Sequence, residues 1–502
     1  MPHVAHRATR RRLRVCRSPP NTVSSGAIPT ALSYPNPGER MSQQREHWSS
    51  SFGFVLAATG SAVGLGNLWK FPYITWENDG GAFVLVYLVC IAAVGMPIML
   101  AELLIGRKTQ KSAVAAMREA VGPAWGLVGA WGVLTGFVIL SYYVVIAGWS
   151  LRYFAMTAGW AMSGFPAEFD LGADFAAFAQ SGGKQVGLAA VFMAVTIGIV
   201  RSGVNHGIER TARVLLPVLF VILLLLLFSA LSLEGSAEAL AFMFHMDFGS
   251  LRLESVLEAL GHAFFTLSLG MGAMIVFGSY LSKRDSVVKA GAIIVILDTL
   301  IALIATAIMF SVIFSVPGMR EQVGASPVGM LFISLPELFY TTVPFGNLLA
   351  PLFYLLVGFA ALTSTIALLE VVTSYLIDEH DVARTKAAII SGACIFAITI
   401  MASLSLGAVD GFSTFEIFAG KQGVFANLDH FASNWQLPIG GFLITLAAGW
   451  VMTREATEAE LREGGVPGWY SYGAWRFFIR YVAPVAVGAI IVAVFAFGVD
   501  FS

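Results

Sequence analysis

Eleven runs of mostly apolar residues constrain this chain more than any other feature, because each is close to the roughly 20 residues a helix needs to cross the hydrocarbon core. They run approximately from Phe52 to Tyr73, Ala82 to Ala101, Ala124 to Ser150, Gln185 to Val200, Val214 to Leu233, Ala259 to Ser282, Ala290 to Ser315, Phe345 to Ile377, Ala387 to Leu406, Leu437 to Thr453 and Tyr481 to Val499. Of the 502 residues, 57% are hydrophobic and 12% charged, against roughly 25% charged in an ordinary soluble domain. A soluble enzyme is thereby excluded, and an all-α polytopic membrane protein with 11 transmembrane helices is expected. Thirty Lys and Arg stand against 31 Asp and Glu, a net charge of −1, so no basic excess exists to hold a nucleic-acid backbone. Cys16, Cys90 and Cys394 offer neither a disulfide framework nor paired zinc-ligand spacing. The chain contains no H-E-x-x-H, G-x-S-x-G or Walker A motif, and so lacks the residues of metalloprotease, serine-hydrolase and ATP-driven chemistry.

Orientation follows from Lys and Arg in the short loops. One set holds Arg107, Lys108, Lys111, Arg118, Arg201, Arg210, Arg213, Lys283, Arg284, Lys289, Arg384, Lys386, Arg454, Arg462, Arg476 and Arg480, 16 in all; the opposite set holds only Lys184, Arg252, Arg320 and Lys421. The richer side is expected to be cytoplasmic, with the N-terminus inside and, after an odd number of spans, the C-terminus outside. Residues 1–40 carry seven arginines among prolines and serines, with no apolar run to serve as a signal-peptide core. They read as a disordered extension before a transmembrane domain over 41–499, and Met41 offers an alternative start.

Two spans weaken their own helices at mid-depth. The first carries Gly60-Ser61-Ala62-Val63-Gly64-Leu65-Gly66-Asn67 and the sixth Ser268-Leu269-Gly270-Met271-Gly272. Irregular backbone at membrane depth is tolerated only where protein or a cavity satisfies it. The two spans are five apart, so a unit of five repeated once is inverted, and paired glycine-rich interruptions point to a transport site. Asp298 lies nine residues beyond Lys289, roughly 13 Å into the membrane at ~1.5 Å per residue. A carboxylate there costs about 2.5 to 3.5 kcal/mol on insertion scales and must face a polar interior. No basic residue lies at that depth; Thr266, Ser268, Thr363, Ser364 and Thr365 are neutral oxygen donors. The balancing charge is either a cation held by oxygens, with sodium the better fit, or a proton on Asp298 acting as a carrier.

Electrostatics also selects the end group of a substrate. A half-helix restarting after Gly64 to Gly66 aims its first N–H groups, with about half a positive charge, into the site. A substrate carboxylate suits that position. No Asp or Glu occurs from Gly60 to Asn67, so an amine is left to carbonyls and hydroxyls, which favours a zwitterionic amino acid over a decarboxylated amine.

Arg45-Glu46-His47-Trp48, the Gly60 to Asn67 run with Leu68-Trp69-Lys70-Phe71-Pro72-Tyr73, Phe265-Thr266-Leu267-Ser268-Leu269-Gly270 and Thr363-Ser364 resemble, in order, the motifs of the neurotransmitter:sodium symporter family. The likeness runs from Arg45 to the eleventh span, and the family is itself the reference case for broken helices in an inverted repeat. The resemblance implies a LeuT-type 5+5 inverted repeat with broken helices 1 and 6, in the inner (plasma) membrane of a bacterium. It implies one sodium site at Ala62, Asn67, Thr266 and Asp298 and a second at Gly60, Val63, Ala360, Thr363 and Ser364. Substrate contacts fall to Ala62, Gly64, Gly66, Ile139, Tyr143, Phe265, Ser268, Met271 and Leu368, with Tyr143 on the carboxylate. Lys70 and Asp429 match an outer gate, and Arg45, Trp48, Ser279, Tyr280 and Asp378 an inner one.

The chain also departs from the family pattern. Lys70 replaces a common arginine and loses its bidentate fork. Asp298 stands where many members have asparagine, His262 where a chloride-binding glutamine is usual, and Ala302 where chloride-dependent members carry serine. A fixed carboxylate supplies the negative charge that chloride supplies elsewhere, so no chloride requirement is expected. Eleven spans are counted where many members have twelve, so a dimer contact through a twelfth helix is not expected. His262, with no metal-ligand spacing around it, reads as a polar partner near Tyr87 and Asp298. Glu102 and Glu370 read as structural residues reaching interfacial water. The function expected is sodium-coupled import of hydrophobic L-amino acids by alternating access, with the lipid bilayer and the amino acid as partners.

Overall fold

The computed structural model describes residues 46–166, 168–249, 251–316 and 327–500; residues 1–40 and Arg45, about which the sequence makes its own claims, lie outside these. Every regular element among the described residues is helical. Eight helices are long and apolar enough to cross a membrane: Gly81–Thr109, Pro123–Ser163, Gly182–Val200, Val204–Leu231, Val287–Phe314, Gly346–His380, Arg384–Leu404 and Tyr472–Phe497. Two bent pairs qualify when joined, Ser51–Ala62 with Gly66–Glu77, and Val424–Val451 with the following helix Arg454–Arg462. The expected sixth span is present as Leu253–Thr266 and Ala273–Gly278, each half too short to cross alone. In chain order these are spans 1 to 11, an all-α, multi-spanning LeuT-type inverted repeat.

Prolines shape these helices in a regular way. Pro72, Pro97, Pro336, Pro438 and Pro484 each stand second in a helical segment that directly follows a widened, π-type turn, at Gly66–Lys70, Ile91–Gly95, Met330–Ser334, Phe431–Gln436 and Phe478–Val482. A proline ring collides with the carbonyl four residues back, and opening the turn before it relieves that clash without ending the helix.

Span 10 begins at Val424, well before the Leu437 expected from hydropathy. Asn427, Asn434 and Gln436 make this stretch look like a loop, yet all three are buried against protein. Asn427 shows why: its Oδ1 accepts the N–H groups of Ile417 and Phe418, and its Nδ2 donates to the carbonyls of Phe415, Lys421 and Gly423, which pins the preceding loop to the helix. Span 3 likewise runs on to Ser163, past the Ser150 expected.

Candidate functional site

Span 1 stops at Ala62 because Val63 turns extended, with φ −68° and ψ 107°, and the helix restarts at Gly66 with its axis bent by 54°. The released backbone groups are taken up locally. Gly64 N–H donates to Asn67 Oδ1 at 3.0 Å, and Leu65 N–H to Tyr143 Oη at 3.0 Å. Gly64 has to be a glycine here, since a Cβ would stand 2.7 Å from Ser364 Oγ and 2.9 Å from Tyr143 Oη.

Span 6 breaks between Thr266 and Ala273. Ser268, Gly270 and Gly272 take left-handed φ values of 53°, 79° and 76°, a region that is costly for serine. Ser268 is held there by donating from Oγ to Ser61 O at 2.9 Å, which ties the two breaks together. Gly270 N–H donates to Glu102 Oε1 at 2.7 Å. Glu102 is fully buried, so the expectation that it reaches interfacial water is wrong: its carboxylate lies inside the bundle as the acceptor for a buried peptide N–H of the broken span.

Between the breaks lies a small cavity. Its lining includes all nine residues singled out from the sequence, Ala62, Gly64, Gly66, Ile139, Tyr143, Phe265, Ser268, Met271 and Leu368, together with Ser61, Thr266 and Ser364. None of these side chains is charged, and the hydroxyls of Tyr143, Thr266, Ser61, Ser268 and Ser364 are its polar groups.

Two oxygen clusters flank the cavity. In the first, Asp298 is fully buried; Asn67 Nδ2 donates to its Oδ1 at 2.8 Å, and Thr266 Oγ1 lies 3.2 and 3.0 Å from its two carboxylate oxygens. Ala62 and Thr266 both line the cavity. In the second, Ser364 Oγ lies 3.4 Å from Val63 O, and Thr363 Oγ1 3.0 Å from Ala360 O. A Cβ on Gly60 would approach Thr363 Cβ to 3.1 Å, so span 1 lies close against span 8 here.

At one end of the bundle, Lys70 and Asp429 face different partners. The Lys70 ammonium stands 5.7 Å above the Phe265 ring, while Asp429 accepts from Ser433 Oγ at 3.2 Å. The other end is tightly closed. Trp48 donates from Nε1 to Phe277 O at 3.0 Å and from its backbone to Tyr280 O at 3.1 Å, with its ring edge-on to Phe277 and Tyr280. Tyr280 Oη donates to Glu370, which also receives Arg384 at 2.6 Å; Ser279 Oγ donates to Val276 O, and Asp378 accepts the Ser112 N–H. Glu370 is therefore also fully buried, and it pairs with Arg384 instead of reaching water.

A family model described as the sodium:neurotransmitter symporter family matches residues 45–163 and 169–499. The chain belongs to this family. It is a sodium-coupled symporter and a multi-pass bacterial membrane protein, not an enzyme. The symporter is 36% identical to the sodium-dependent transporter YhdH of Bacillus subtilis, over 89% of this chain and 97% of the relative. It is 30% identical to a sodium-dependent transporter of Methanocaldococcus jannaschii, over 89% and 90% of the two chains. Its structure is similar to the crystal structure of MhsT in complex with L-phenylalanine, with a TM-score of 0.81 and 39% identity, over 90% of this chain and 100% of that one.

Sequence reasoning missed that Glu102 and Glu370 are buried inside the bundle, the first on Gly270 N–H and the second on Tyr280 and Arg384. The available signal was an acidic residue within or beside an apolar run, which is expensive unless paired inside the bundle. His262 differs from expectation in another way. Its contacts are with rings, stacked on Phe71 at 5.4 Å and 5.6 Å from Tyr87, and neither ring nitrogen has a protein hydrogen-bond partner among the described residues.

Proposed function

We propose that the symporter imports hydrophobic L-amino acids, from branched aliphatic to aromatic, with sodium bound at two sites and without a chloride requirement. The observation that carries this reading is the cavity itself: uncharged, apolar along Ile139, Phe265, Met271 and Leu368, and bounded by the restart of span 1. Tyr143 Oη accepts from Leu65 N–H and so keeps its own proton to offer a carboxylate. The carboxylate sits where the first N–H groups of the restarted helix favour negative charge. The amine goes to carbonyls and hydroxyls, since no acidic side chain lines the cavity. MhsT, similar over nearly the whole chain, was crystallised with L-phenylalanine.

The first sodium is held by Ala62, Asn67, Thr266 and Asp298 together with the substrate carboxylate, which makes ion and amino acid bind as one unit. The second is held by Gly60, Val63, Ala360, Thr363 and Ser364. Both sets supply only oxygen donors, and part of each is carbonyl released by a broken helix, the usual way such transporters bind sodium. Asn67 and Thr266 both donate to Asp298, an arrangement that suits an ionised carboxylate better than a protonated carrier. That fixed charge replaces chloride. Lys70 and Asp429 lie on the outer side, and Trp48, Ser279, Tyr280 and Asp378 seal the cytoplasmic side, with the N-terminus inside and the C-terminus outside. The lysine and arginine bias of the loops supports this orientation.

A competition panel against labelled leucine in proteoliposomes tests the substrate range. Leu, Tyr, Phe and Trp are expected to compete strongly. Strong competition by glycine and alanine with none by tryptophan and tyrosine would overturn the reading.

A further inference from the structure

We propose that Ala113, outside the cavity on the short helix Ala113–Ala120 between spans 2 and 3, is a specificity-determining residue. Its methyl group is the backstop that limits how far the Met271–Gly272 floor of the cavity retreats from a large substrate. The inference rests on the cavity being the substrate site.

Met271 lines the cavity, whereas Ala113 and Gly132 are not among its lining residues and lie against the Met271–Gly272 backbone. A Cβ on Gly132 of span 3 would stand 3.1 Å from the Met271 carbonyl carbon and 3.2 Å from Gly272 N. A Cβ on Gly272 would stand 3.0 Å from the Cβ of Ala113. On its other flank the broken segment meets backbone. A Cβ on Gly270 would reach 2.6 Å from Leu437 O, and one on Gly440 2.2 Å from Gly270 O, so span 10 pins Gly270 main chain to main chain. Of the neighbours of Gly270 and Gly272, only Ala113 and Val371 present side-chain methyls; the Ala113 methyl is the nearer, 3.0 Å from a Cβ on Gly272 against 3.9 Å for Val371 Cγ1, and the rest present peptide. Retreat of the floor is therefore directed at that methyl.

A backstop works only if it is fixed, and Ala113 is. It is fully buried. Gly129 of span 3 lies in backbone contact with it, since a Cβ there would come within 2.4 Å of Ala113 O and 2.6 Å of Val114 Cα. The preceding residue, Ser112, donates its N–H to Asp378. In a close-packed interior a change of one methyl is felt, and in an apolar pocket it alters discrimination by roughly tenfold or more.

The test compares wild type, Ala113→Gly, Gly132→Ala and Met271→Phe in proteoliposomes, reading the ratio of tryptophan to leucine affinity and the sodium concentration for half-maximal leucine binding. Ala113→Gly is expected to raise the tryptophan-to-leucine ratio about tenfold while leaving the sodium requirement unchanged. Gly132→Ala pushes the floor forward and is expected to lower that ratio; if it does not fold, Ala113→Gly alone decides. An unchanged ratio in Ala113→Gly with a changed one in Met271→Phe overturns the backstop and leaves the substrate site standing. A ratio unmoved in both overturns the substrate site as well, and a sodium requirement raised together with the ratio in Ala113→Gly assigns Ala113 a general structural role instead.

Discussion

Asp298, in a cluster flanking the cavity, and Met271, in its lining, carry opposite demands, charge in the first case and adaptability in the second. Asp298 sits in a fully enclosed cluster with Asn67 and Thr266. On the proposed first sodium site, Asp298→Ala removes a cation ligand and the fixed charge together, whereas Asp298→Asn keeps an oxygen ligand and loses only the charge. Sodium-dependent leucine binding is expected to be abolished in the first and weakened in the second, with chloride stimulating the asparagine variant. Normal sodium-driven uptake by Asp298→Ala would refute the first sodium site. Met271 stands between two glycines with left-handed backbones, and a methionine side chain reshapes around different apolar partners. Met271→Phe is expected to narrow the competition panel towards smaller amino acids, and an unchanged panel would show that this side chain does not set the range. These residues were legible in the sequence because a mid-membrane carboxylate and a methionine flanked by glycines are both anomalies in an apolar run. Glu102 was not legible in the same way, since its partner is a backbone N–H that exists only once span 6 is broken.

The broken helices are stable because specific groups stand in for the missing intrahelical bonds. Tyr143 and Asn67 serve span 1, and Ser61 and Glu102 serve span 6. A buried N–H left without an acceptor costs about 1–3 kcal/mol. Glu102→Leu is therefore expected to weaken leucine binding roughly tenfold or more, while Glu102→Gln, which keeps the acceptor, retains most of it; equal binding in both variants would show that the Gly270 bond does not support the site. The positions of both breaks could be read from glycine clusters in apolar runs. The start of span 10 could not, because Asn427, Asn434 and Gln436 lower its hydropathy although all three are buried, with the side chains of Asn427 and Asn434 hydrogen-bonded inside the protein. Hydropathy registers the polar atom but not the partner that tertiary structure supplies. The widened turns before five prolines follow the same logic, since proline announces a disturbance and packing decides that the helix continues through it.

Across the whole molecule, the inverted repeat places the two breaks antiparallel around one cavity, with Trp48 and its neighbours closing one end. In the proposed first sodium site, ion and amino acid share ligands, so a downhill sodium gradient drives the substrate uphill only if both move in the same conformational step. Coupling of this kind requires no titrating carrier. The central claim is tested most directly by uptake of labelled leucine into proteoliposomes with sodium and proton gradients imposed separately. Concentrative uptake is expected with an inward sodium gradient at equal pH and none with an inward proton gradient in sodium-free medium. Uptake driven by the proton gradient alone would contradict the account and make Asp298 a proton carrier.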